Sequence, residues 1–278
     1  MGLINVLNLG AGVQSSAVLL MSLKGELPPL DWVVFADTGW EPEAVYRQLD
    51  WLEEQASKKG VKIHRVKNGN IKEDALISQV RGLKGADNRW ASLPYHVLNQ
   101  DGSGGIIRRQ CTAEYKIVPI ERFIRSEILG LKKGQHAPKV VTIKRWYGIS
   151  FDEMQRMKIS AEKWAENWYP LVEMKMSRSA CHAWMDRQGL HESPRSACIG
   201  CPFHTNREWR YMKENRPEEW EEAVEFDKSI RKCGGMRGDV YIHHDKIPLD
   251  EVNLYKDYDK NQLPLFDMND ECAGMCGV

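Results

Sequence analysis

Residues 3–24, with the sequence LINVLNLGAGVQSSAVLLMSLK, decide the fold of this chain. The apolar run at 3–9 predicts a buried strand, and residues 15–24 predict a helix. Gly10 to Gln14 form the turn between them, so glycines stand where a strand ends and a helix begins. Backbone N–H groups and the helix dipole favour an anion at such a helix start. The stretch therefore predicts a phosphate-binding loop, with a capped helix after a tight turn as the alternative.

The loop offers five candidate nucleotide-binding residues. Gly10 and Gly12 let the main chain approach a phosphate closely, because they carry no side chain. Ser15 and Ser16, which follow Gln14, can cap the helix or donate hydrogen bonds to phosphate oxygens. A short glycine-rich signal is weak by itself, so the rest of the chain has to support it.

Strand and helix patterns alternate through the first 150 residues. The further predicted elements are strands at 32–36, 61–66 and 139–149 and helices at 42–59 and near 114–129. Strands separated by helices pair in parallel, which predicts an α/β fold with a doubly wound, mostly parallel, Rossmann-like sheet. The second strand ends in Asp37, which we expect beside the crevice where such sheets bind ligands.

The pattern changes twice along the chain, which predicts three parts. Residues 1–150 are expected to form a nucleotide-binding α/β domain and residues 151–232 a helical region that contains cysteines. Residues 233–278 are expected to form an irregular tail with C-terminal thiols. The glycine-rich stretch 82–105 predicts a functional or mobile loop.

The composition excludes several classes of protein. The 278 residues are 42% hydrophobic and 28% charged, which is not the composition of a disordered chain. The 39 basic residues are balanced by 39 acidic ones, which excludes a globally basic nucleic-acid binder but not a local basic patch. The sequence has neither an apolar run long enough to span a membrane nor the start of a signal peptide, which predicts a cytoplasmic protein without a membrane partner.

The seven cysteines need another explanation than disulfides, which are rare in the cytoplasm. Cys198 and Cys201 form a C-x-x-C sequence in a turn-rich stretch. Two thiolates at this spacing can bind one metal ion or one iron–sulfur cluster. A redox pair and two simply buried thiols are the alternatives.

Several motifs together resemble one family, the adenosine phosphosulfate and phosphoadenosine phosphosulfate (PAPS) reductases of the adenine-nucleotide alpha-hydrolase superfamily. The motifs are GAGVQSSAV at 10–18, FADTGWEPEAVYRQLDWL at 35–52 and RRQCTAEYKIVPIERFI at 108–124. The resemblance covers about residues 4–205 and implies a fold of the HUP type that binds an adenine nucleotide. The related ATP pyrophosphatases carry Lys and Asp where this chain has Val13 and Gln14, which argues against ATP cleavage.

The resemblance also implies a cluster. Reductases that carry an iron–sulfur cluster ligate it with a Cys-Cys pair and a later C-x-x-C, whereas this chain has Cys111 followed by Thr112. Counting positions along the chain makes Cys181, 17 residues before Cys198, the candidate for the missing ligand. The expected metal ligands are therefore Cys111, Cys181, Cys198 and Cys201, which hold a 4Fe-4S cluster. Structural zinc and no metal at all are the alternatives.

The last residues resemble the mobile Glu-Cys-Gly-x-His end of the sulfonucleotide reductases. Glu271 and Cys272 match its first two positions, and Ala273 departs from it. The resemblance implies that Cys272 attacks the sulfate sulfur and forms an S-sulfocysteine. Cys276 would then resolve a persulfide or a mixed disulfide. Two inert thiols on a frayed tail are the alternative.

The remaining candidates are basic residues. Arg156 is expected to bind a nucleotide phosphate. Arg108, Arg109 and Lys116 are expected to hydrogen-bond the nucleotide phosphates or an anionic cluster, with Arg109 assigned to the nucleotide. A solvated basic edge, or a salt bridge of Arg156 to a nearby acid, is the alternative. His182 and His204 flank the cysteine region and are more often surface or supporting groups than metal ligands.

The functional prediction is a PAPS reductase-like enzyme in which Cys272 reduces a sulfonucleotide and a thioredoxin-like partner releases sulfite. The first alternative is an ATP-dependent sulfur-insertion enzyme, supplied by a partner such as a cysteine desulfurase, that adenylates and thiolates a tRNA or DNA acceptor. The second alternative is a non-enzymatic subunit that senses a nucleotide or a cluster. The sequence does not decide between adenosine phosphosulfate, PAPS and ATP.

Overall fold

The structure is a computed structural model that describes residues 3–81, 93–189, 193–232 and 238–255. Five strands form the main sheet: β1 (Ile4–Leu9), β2 (Trp32–Asp37), β3 (Ile63–Lys67), β6 (Ile143–Tyr147) and β7 (Ala165–Trp168). Three short strands form a second sheet: β4 (His96–Leu98), β5 (Gly104–Ile106) and β8 (Asp239–Tyr241). The strand predictions at 3–9, 32–36, 61–66 and 139–149 are thereby confirmed.

The helices alternate with the strands in the first part of the chain and dominate its later part. They are α1 (Val13–Lys24), α2 (Glu43–Ser57), α3 (Ile71–Arg81), α4 (Val118–Phe123), α5 (Pro170–Glu173), α6 (Arg178–Arg187), α7 (Asn206–Asn215) and α8 (Pro217–Ile230). Helix α4 lies between two π-helical turns, Thr112–Ile117 and Ile124–Ile128. The described part of the chain contains no helix with the length and apolar character that crossing a membrane requires.

The main sheet has the order β3-β2-β1-β6-β7, and all its pairings are parallel. The chain moves outward from β1 through β2 to β3 and then returns to the other side of β1 with β6. The predicted α/β class with a doubly wound, mostly parallel sheet is confirmed. Ligands bind such sheets where the strand order reverses, at the carboxyl ends of β1 and β6.

Successive residues of the central strands supply the two faces of the sheet, as the two-residue repeat of a strand requires. On one face, Leu7 and Val33 pack with α1, α2 and α6. On the other face, Val6 and Val34 pack with Ile120 of α4 and its neighbours. Helices therefore cover both faces, and the ligand-binding edge is the end of the sheet that they leave open.

A second apolar core joins α3, α7, α8 and the small sheet. Its largest buried side chains include Trp209 and Phe226, which are at most 1% exposed. The carboxylate of Asp227 accepts hydrogen bonds from the backbone N–H groups of Ile242 (2.9 Å) and Leu249 (3.1 Å), which fixes the segment after β8 to α8. The later part of the chain is mainly helical, as expected, but it also supplies β7 to the main sheet.

Candidate functional site

The predicted loop lies at the reversal of strand order, and a pocket opens beside it. Gly148, directly after β6, packs so closely on α1 that a Cβ there would lie 2.6 Å from the backbone nitrogen of Ser15. We call this cavity the glycine-loop pocket. Its lining residues are Asn8, Leu9, Gly10, Gly12, Val13, Gln14, Ser15, Phe35, Ala36, Lys116, Ile120, Tyr147, Gly148, Ile149, Glu153, Arg156, Arg178, Pro194, Arg195 and Ser196.

Hydrogen bonds within the loop hold its shape. The hydroxyl of Ser15 accepts a hydrogen bond from the N–H of Gly10 (3.1 Å) and donates one to the carbonyl of Gly12 (3.2 Å). Ala11 between the two glycines has φ +56°, a left-handed conformation that costs a non-glycine residue energy. Ser15 thus stabilises the loop from within rather than by capping the helix.

Ser16 does not line the glycine-loop pocket, contrary to its assignment as a nucleotide-binding residue. It is fully buried, and its hydroxyl accepts a hydrogen bond from the side chain of Gln48 (3.4 Å). The physical reason is the 100° step between neighbouring helical residues, which turns Ser16 toward α2 while Ser15 faces the loop.

Asp37 also has a different role from the one expected of it. Its carboxylate accepts hydrogen bonds from the N–H of Gly39 (2.7 Å) and the hydroxyl of Tyr46 (2.8 Å). Burial, together with Asp37, raises the pKa of Tyr46 above its usual range. Asp37 does not line the glycine-loop pocket. It closes the turn after β2 instead.

Cations approach the glycine-loop pocket from outside the loop. Arg156, which the sequence indicated, lines it and pairs with Glu153 at 2.7 Å. Arg178 at the start of α6 and Arg195 were missed, although Arg195 stands three residues before the C-x-x-C sequence. Lys116 lines the pocket as well. Positive charge that the loop itself lacks therefore comes from these four residues.

A second cavity lies beside the first, and three cysteines line it. We call it the three-thiol pocket; its lining residues are Thr38, Ile71, Leu93, Pro94, Arg109, Cys111, Thr112, Lys116, Ala197, Cys198, Cys201 and Phe203. Cys111, at the start of the π-helical turn, thus faces the C-x-x-C pair across 87 positions of sequence. Arg109, expected at a nucleotide phosphate, lies here with its guanidinium 5.9 Å from the Phe203 ring.

The turn that carries the C-x-x-C pair is fixed on several sides. The imidazole of His204 donates from Nε2 to the carbonyl of Cys198 (3.0 Å), and burial lowers its pKa to about 3, so the ring is neutral. Cys201 donates its N–H to the same carbonyl at 3.1 Å. A Cβ on Gly200 would lie 2.1 Å from the ring of Trp40, so the turn lies directly against this indole.

Trp40 is held in turn by α8. Its Nε1–H donates to Oε1 of Glu222 at 2.8 Å, and its ring centroid lies 4.5 Å from that of Phe226. The indole is only 3% exposed. The position of the C-x-x-C turn therefore depends on a helix that begins 16 residues after Cys201.

A buried carboxylate lies next to the thiols. Oε1 of Glu41 accepts a hydrogen bond from the Thr38 hydroxyl (3.1 Å) and lies 3.4 Å from Nζ of Lys116. The sulfur of Cys198 lies 3.4 Å from the Thr38 hydroxyl oxygen. Burial raises the pKa of the Cys198 thiol well above its usual range, and Glu41 adds to this, while Lys116 opposes it.

Cys181, expected to complete the set of four ligands, does not lie at the three-thiol pocket. It is fully buried in the core between α6 and α1, and burial raises the pKa of its thiol to about 12. The reason is that Cys181, Trp184 and Met185 form the apolar face of α6, and that face covers the main sheet. The expectation for Cys181 is therefore corrected: the structure brings together three thiols, not four.

The two cysteines assigned to catalysis, Cys272 and Cys276, lie outside the described residues, as does Cys233. His182 lines a third cavity, which is described below. The roles that the sequence indicated for Cys272 and Cys276 stay predictions.

The two pockets are contiguous. Lys116 lines both of them, and its side chain is only 13% exposed. The segment 194–198 runs from one to the other, since Pro194, Arg195 and Ser196 line the glycine-loop pocket and Ala197 and Cys198 the three-thiol pocket. A molecule whose phosphates contact Lys116 therefore lies next to the three thiols.

The three sulfur atoms of this pocket do not all lie within 4.8 Å of one another. A tetrahedral zinc ion draws its thiolates to about 2.3 Å from the metal, and hence to within about 4 Å of one another. Among the described residues, the group whose candidate ligand atoms all lie within 4.8 Å of one another is His243, His244 and Asp245, and not the cysteines. To bind zinc, the three thiols would have to move closer together.

The histidine group is explained by its own hydrogen bonds. Nε2 of His243 bonds to the side-chain oxygen of Asn206 (2.8 Å), and Nδ1 accepts the N–H of Asp245 (3.1 Å). Both ring nitrogens are thus in use, which indicates a structural role.

Comparisons with known proteins add little to this geometry. No protein-family model matches the chain, and no curated protein sequence matches it. Among solved structures, the chain is similar to the U34-tRNA thiolase NcsA from Methanococcus maripaludis with its [4Fe-4S] cluster, at a TM-score of 0.37 and 12% identity. The match covers 82% of this chain and 71% of the thiolase.

Proposed function

We propose that this chain is an enzyme that uses an adenine nucleotide to activate an acceptor oxygen and replaces that oxygen with sulfur. The observation that carries the proposal is the position of Lys116, which lines both the glycine-loop pocket and the three-thiol pocket. A nucleotide phosphate and a bound sulfur species can therefore both lie next to the Lys116 side chain. The apolar side chains of Phe35 and Ile149 suit a base, and Arg156 suits phosphates.

The site favours sulfur insertion over sulfonucleotide reduction for two reasons. Thr112 stands where the cluster-bearing reductases have a second cysteine, so this pocket presents three thiols. A cluster held by these three thiols would have one protein ligand fewer than in the reductases, and an external sulfur ligand could take that place. In addition, Arg178 and Arg195 line the pocket and supply the positive charge that the loop lacks at Val13. ATP binding thus does not depend on a loop lysine.

The chemistry balances without an oxidant or a reductant. The acceptor oxygen attacks the α-phosphorus of ATP, and pyrophosphate leaves. Hydrosulfide then adds to the activated carbon, and AMP leaves with the former acceptor oxygen. The proton of the hydrosulfide passes to pyrophosphate or to solvent. Lys116 and the arginines stabilise the charge that develops on the phosphates during the first step.

The donor set fits an iron–sulfur cluster. Cys111, Cys198 and Cys201 would hold it, and the cationic Lys116 and Arg109 at the same pocket would offset its negative charge. The chemistry that such a cluster supplies is to hold hydrosulfide next to the nucleotide. Oε2 of Glu41 is buried and has no hydrogen-bond partner among the described residues, and Oε1 of the same carboxylate lies 3.9 Å from the sulfur of Cys198.

The full chain, reconstituted anaerobically with iron and sulfide, tests the proposal. It is incubated with ³⁵S-labelled hydrosulfide, ATP and a pool of small RNA and single-stranded DNA. We expect equal amounts of AMP, pyrophosphate and polymer-bound label, and loss of all three in Arg156→Gln. Sulfite release from adenosine phosphosulfate or PAPS without this labelling would instead establish the reductase that the resemblance implies. Nucleotide binding without turnover would establish a sensing subunit.

A further inference from the structure

A third cavity, larger than either pocket, adjoins the glycine-loop pocket. We call it the arginine cleft, and its volume is about 1020 Å³. Small-molecule sites run from about 300 to 1,000 Å³, so the cleft is at or above their upper limit. Its lining residues are Pro42, Ala44, Arg47, Gln48, Trp51, Asp152, Arg178, Ser179, His182, Ser193, Pro194, Arg195, Ala197, His204, Arg207, Glu208, Tyr211 and Arg216.

The cleft concentrates positive charge on a chain whose net charge is zero. Five of its lining residues are arginines, and two, Asp152 and Glu208, are acidic. Three of the arginines form ion pairs. Arg47 pairs with Glu43 at 2.5 Å, and both side chains are more than 60% exposed. Arg195 pairs with Glu208 and Arg216 with Glu219, and these side chains are partly buried. The exposed pair contributes little, so a phosphate competes readily for Arg47. Arginine is suited to phosphate because its planar guanidinium donates two parallel hydrogen bonds.

Aromatic side chains alternate with these charges on two helices. Helix α2 presents Arg47 and Trp51, four residues apart and hence on one face. Helix α7 presents Arg207 and Tyr211 at the same spacing. Tyr211 is 57% exposed, and the guanidinium of Arg216 lies 5.5 Å from its ring centroid. Cations for a backbone and rings for stacking are the two requirements of a single-stranded nucleic-acid site.

The cleft opens onto the nucleotide site. Arg178, Pro194 and Arg195 line both the arginine cleft and the glycine-loop pocket. A strand in the cleft would thus place one of its bases near the phosphates of a nucleotide bound at the loop. The two arginines at the junction can contact the nucleotide and the strand together.

We infer that the arginine cleft binds a single-stranded segment of nucleic acid, which presents the acceptor base to the glycine-loop pocket. This inference rests on the proposed function for the role of the bound strand, whereas the binding itself does not depend on it. An acidic peptide would use the arginines but not the exposed Tyr211 ring. RNA and DNA share the chemistry that the cleft recognises, and the test separates them.

The test is binding of a fluorescently labelled 20-nucleotide single strand to the full chain, measured by anisotropy without ATP or sulfide. The variant Arg47→Gln/Arg207→Gln removes one cation from each helix. The matched control, Lys58→Gln/Lys213→Gln, removes one cation directly after α2 and one from α7, both outside the cleft. We expect at least a tenfold weaker Kd for the cleft variant and less than a twofold change for the control. The slope of log Kd against log salt should fall by about 1.4, or about 0.7 for each lost phosphate contact.

A second variant separates stacking from charge. We expect Tyr211→Ser to weaken binding about tenfold while leaving the salt slope unchanged. The same measurements with RNA and DNA of one sequence identify the sugar that the cleft prefers. Three results would each overturn the inference. The first is an equal loss of affinity in both double variants, and the second is no binding of either strand. The third is a strand that a sulfated polysaccharide displaces and that Tyr211→Ser binds as tightly as the unchanged protein does. Because ATP and sulfide are absent, a failure here is distinct from a failure to transfer sulfur.

Discussion

The glycine-loop pocket and the three-thiol pocket share a wall but arise in different ways. The first is built around one continuous stretch, in which β1, the loop and α1 follow each other within 21 residues. The second joins Cys111, before α4, to Cys198 and Cys201, after α6. A local stretch reveals its geometry in its own sequence, whereas a pocket made of distant segments depends on how whole helices pack.

The two pockets also differ in where the groups that fix their shape lie. The loop is held by its own Ser15 hydroxyl and by the close approach of Gly148. The C-x-x-C turn is held by residues outside it in the sequence or at its end, namely Trp40 and the neutral His204. We therefore expect substitutions to separate the two pockets, with Lys116 as the exception because it lines both.

The largest effect is expected from the cysteines. Cys111→Ala should abolish iron binding on anaerobic reconstitution, because it removes one of three thiols that share a pocket. Cys181→Ala should keep the full iron content, although it removes a fully buried side chain from the core. The measurement is iron and acid-labile sulfide per chain, for both variants. Iron loss in Cys181→Ala with retention in Cys111→Ala would contradict the assignment of ligands.

The thiol of Cys181 provides a check by pH. Burial raises its pKa to about 12, so the thiol stays protonated, and hence unreactive, near pH 8.5. Iodoacetamide at pH 8.5 should leave Cys181 unmodified in the folded protein and modify it in urea, as peptide mass spectrometry would show.

Two glycines test whether the pockets are independent. Gly148→Ala places a methyl group against the Ser15 backbone and should weaken nucleotide binding more than tenfold while iron content stays unchanged. Gly200→Ala places a methyl group in the Trp40 ring and should reduce iron content while nucleotide affinity stays within twofold. Calorimetric titration with ATP and iron analysis measure both quantities. Parallel losses in both variants would show that the two pockets form as one unit.

The smallest effect on binding is expected at Lys116, the residue that lines both pockets. Lys116→Met should weaken ATP binding about tenfold, because one charge-assisted contact is lost. It should also lower the free energy of unfolding by about 3 kcal/mol, since it leaves the buried Glu41 without its cation. The double variant Glu41→Gln/Lys116→Met should recover stability but not affinity, as urea unfolding and calorimetry would show. Recovery of both would assign Lys116 a purely structural role.

The sequence was sufficient to predict four of the five strands of the main sheet, their parallel pairing and the loop at its edge, but not β7. Periodicity carries this information directly, because buried strands and amphipathic helices repeat with different periods. The pairing of Cys198 with Cys201 was visible for a similar reason, since their spacing is local. The contribution of Cys111 came from the resemblance of residues 108–124 to a known family.

Other parts of the site could not be predicted by counting positions along the chain. Cys181 was placed by its distance in sequence, but the apolar repeat of Cys181, Trp184 and Met185 was the better signal, because it marks the face of α6 that turns inward. Asp37 followed by Gly39 is the sequence of a side-chain-closed turn, which explains its hydrogen bond at 2.7 Å. Arg178 and Arg195 reach the glycine-loop pocket only through tertiary packing, for which the local sequence has no signal.

The contact between Gly200 and Trp40 has a consequence for engineering and for evolution. Glu222 and Phe226 of α8 hold Trp40 in place, and Trp40 contacts the turn with the cysteines. The position of Cys198 and Cys201 therefore depends on a helix that contributes no residue to the three-thiol pocket. If residues 194–204 alone were grafted into another α/β protein, the sulfur atoms would lose the contacts that position them. A graft would also have to include Trp40 and the part of α8 that holds it. In related sequences, substitutions at Trp40, Glu222 and Phe226 should therefore be correlated.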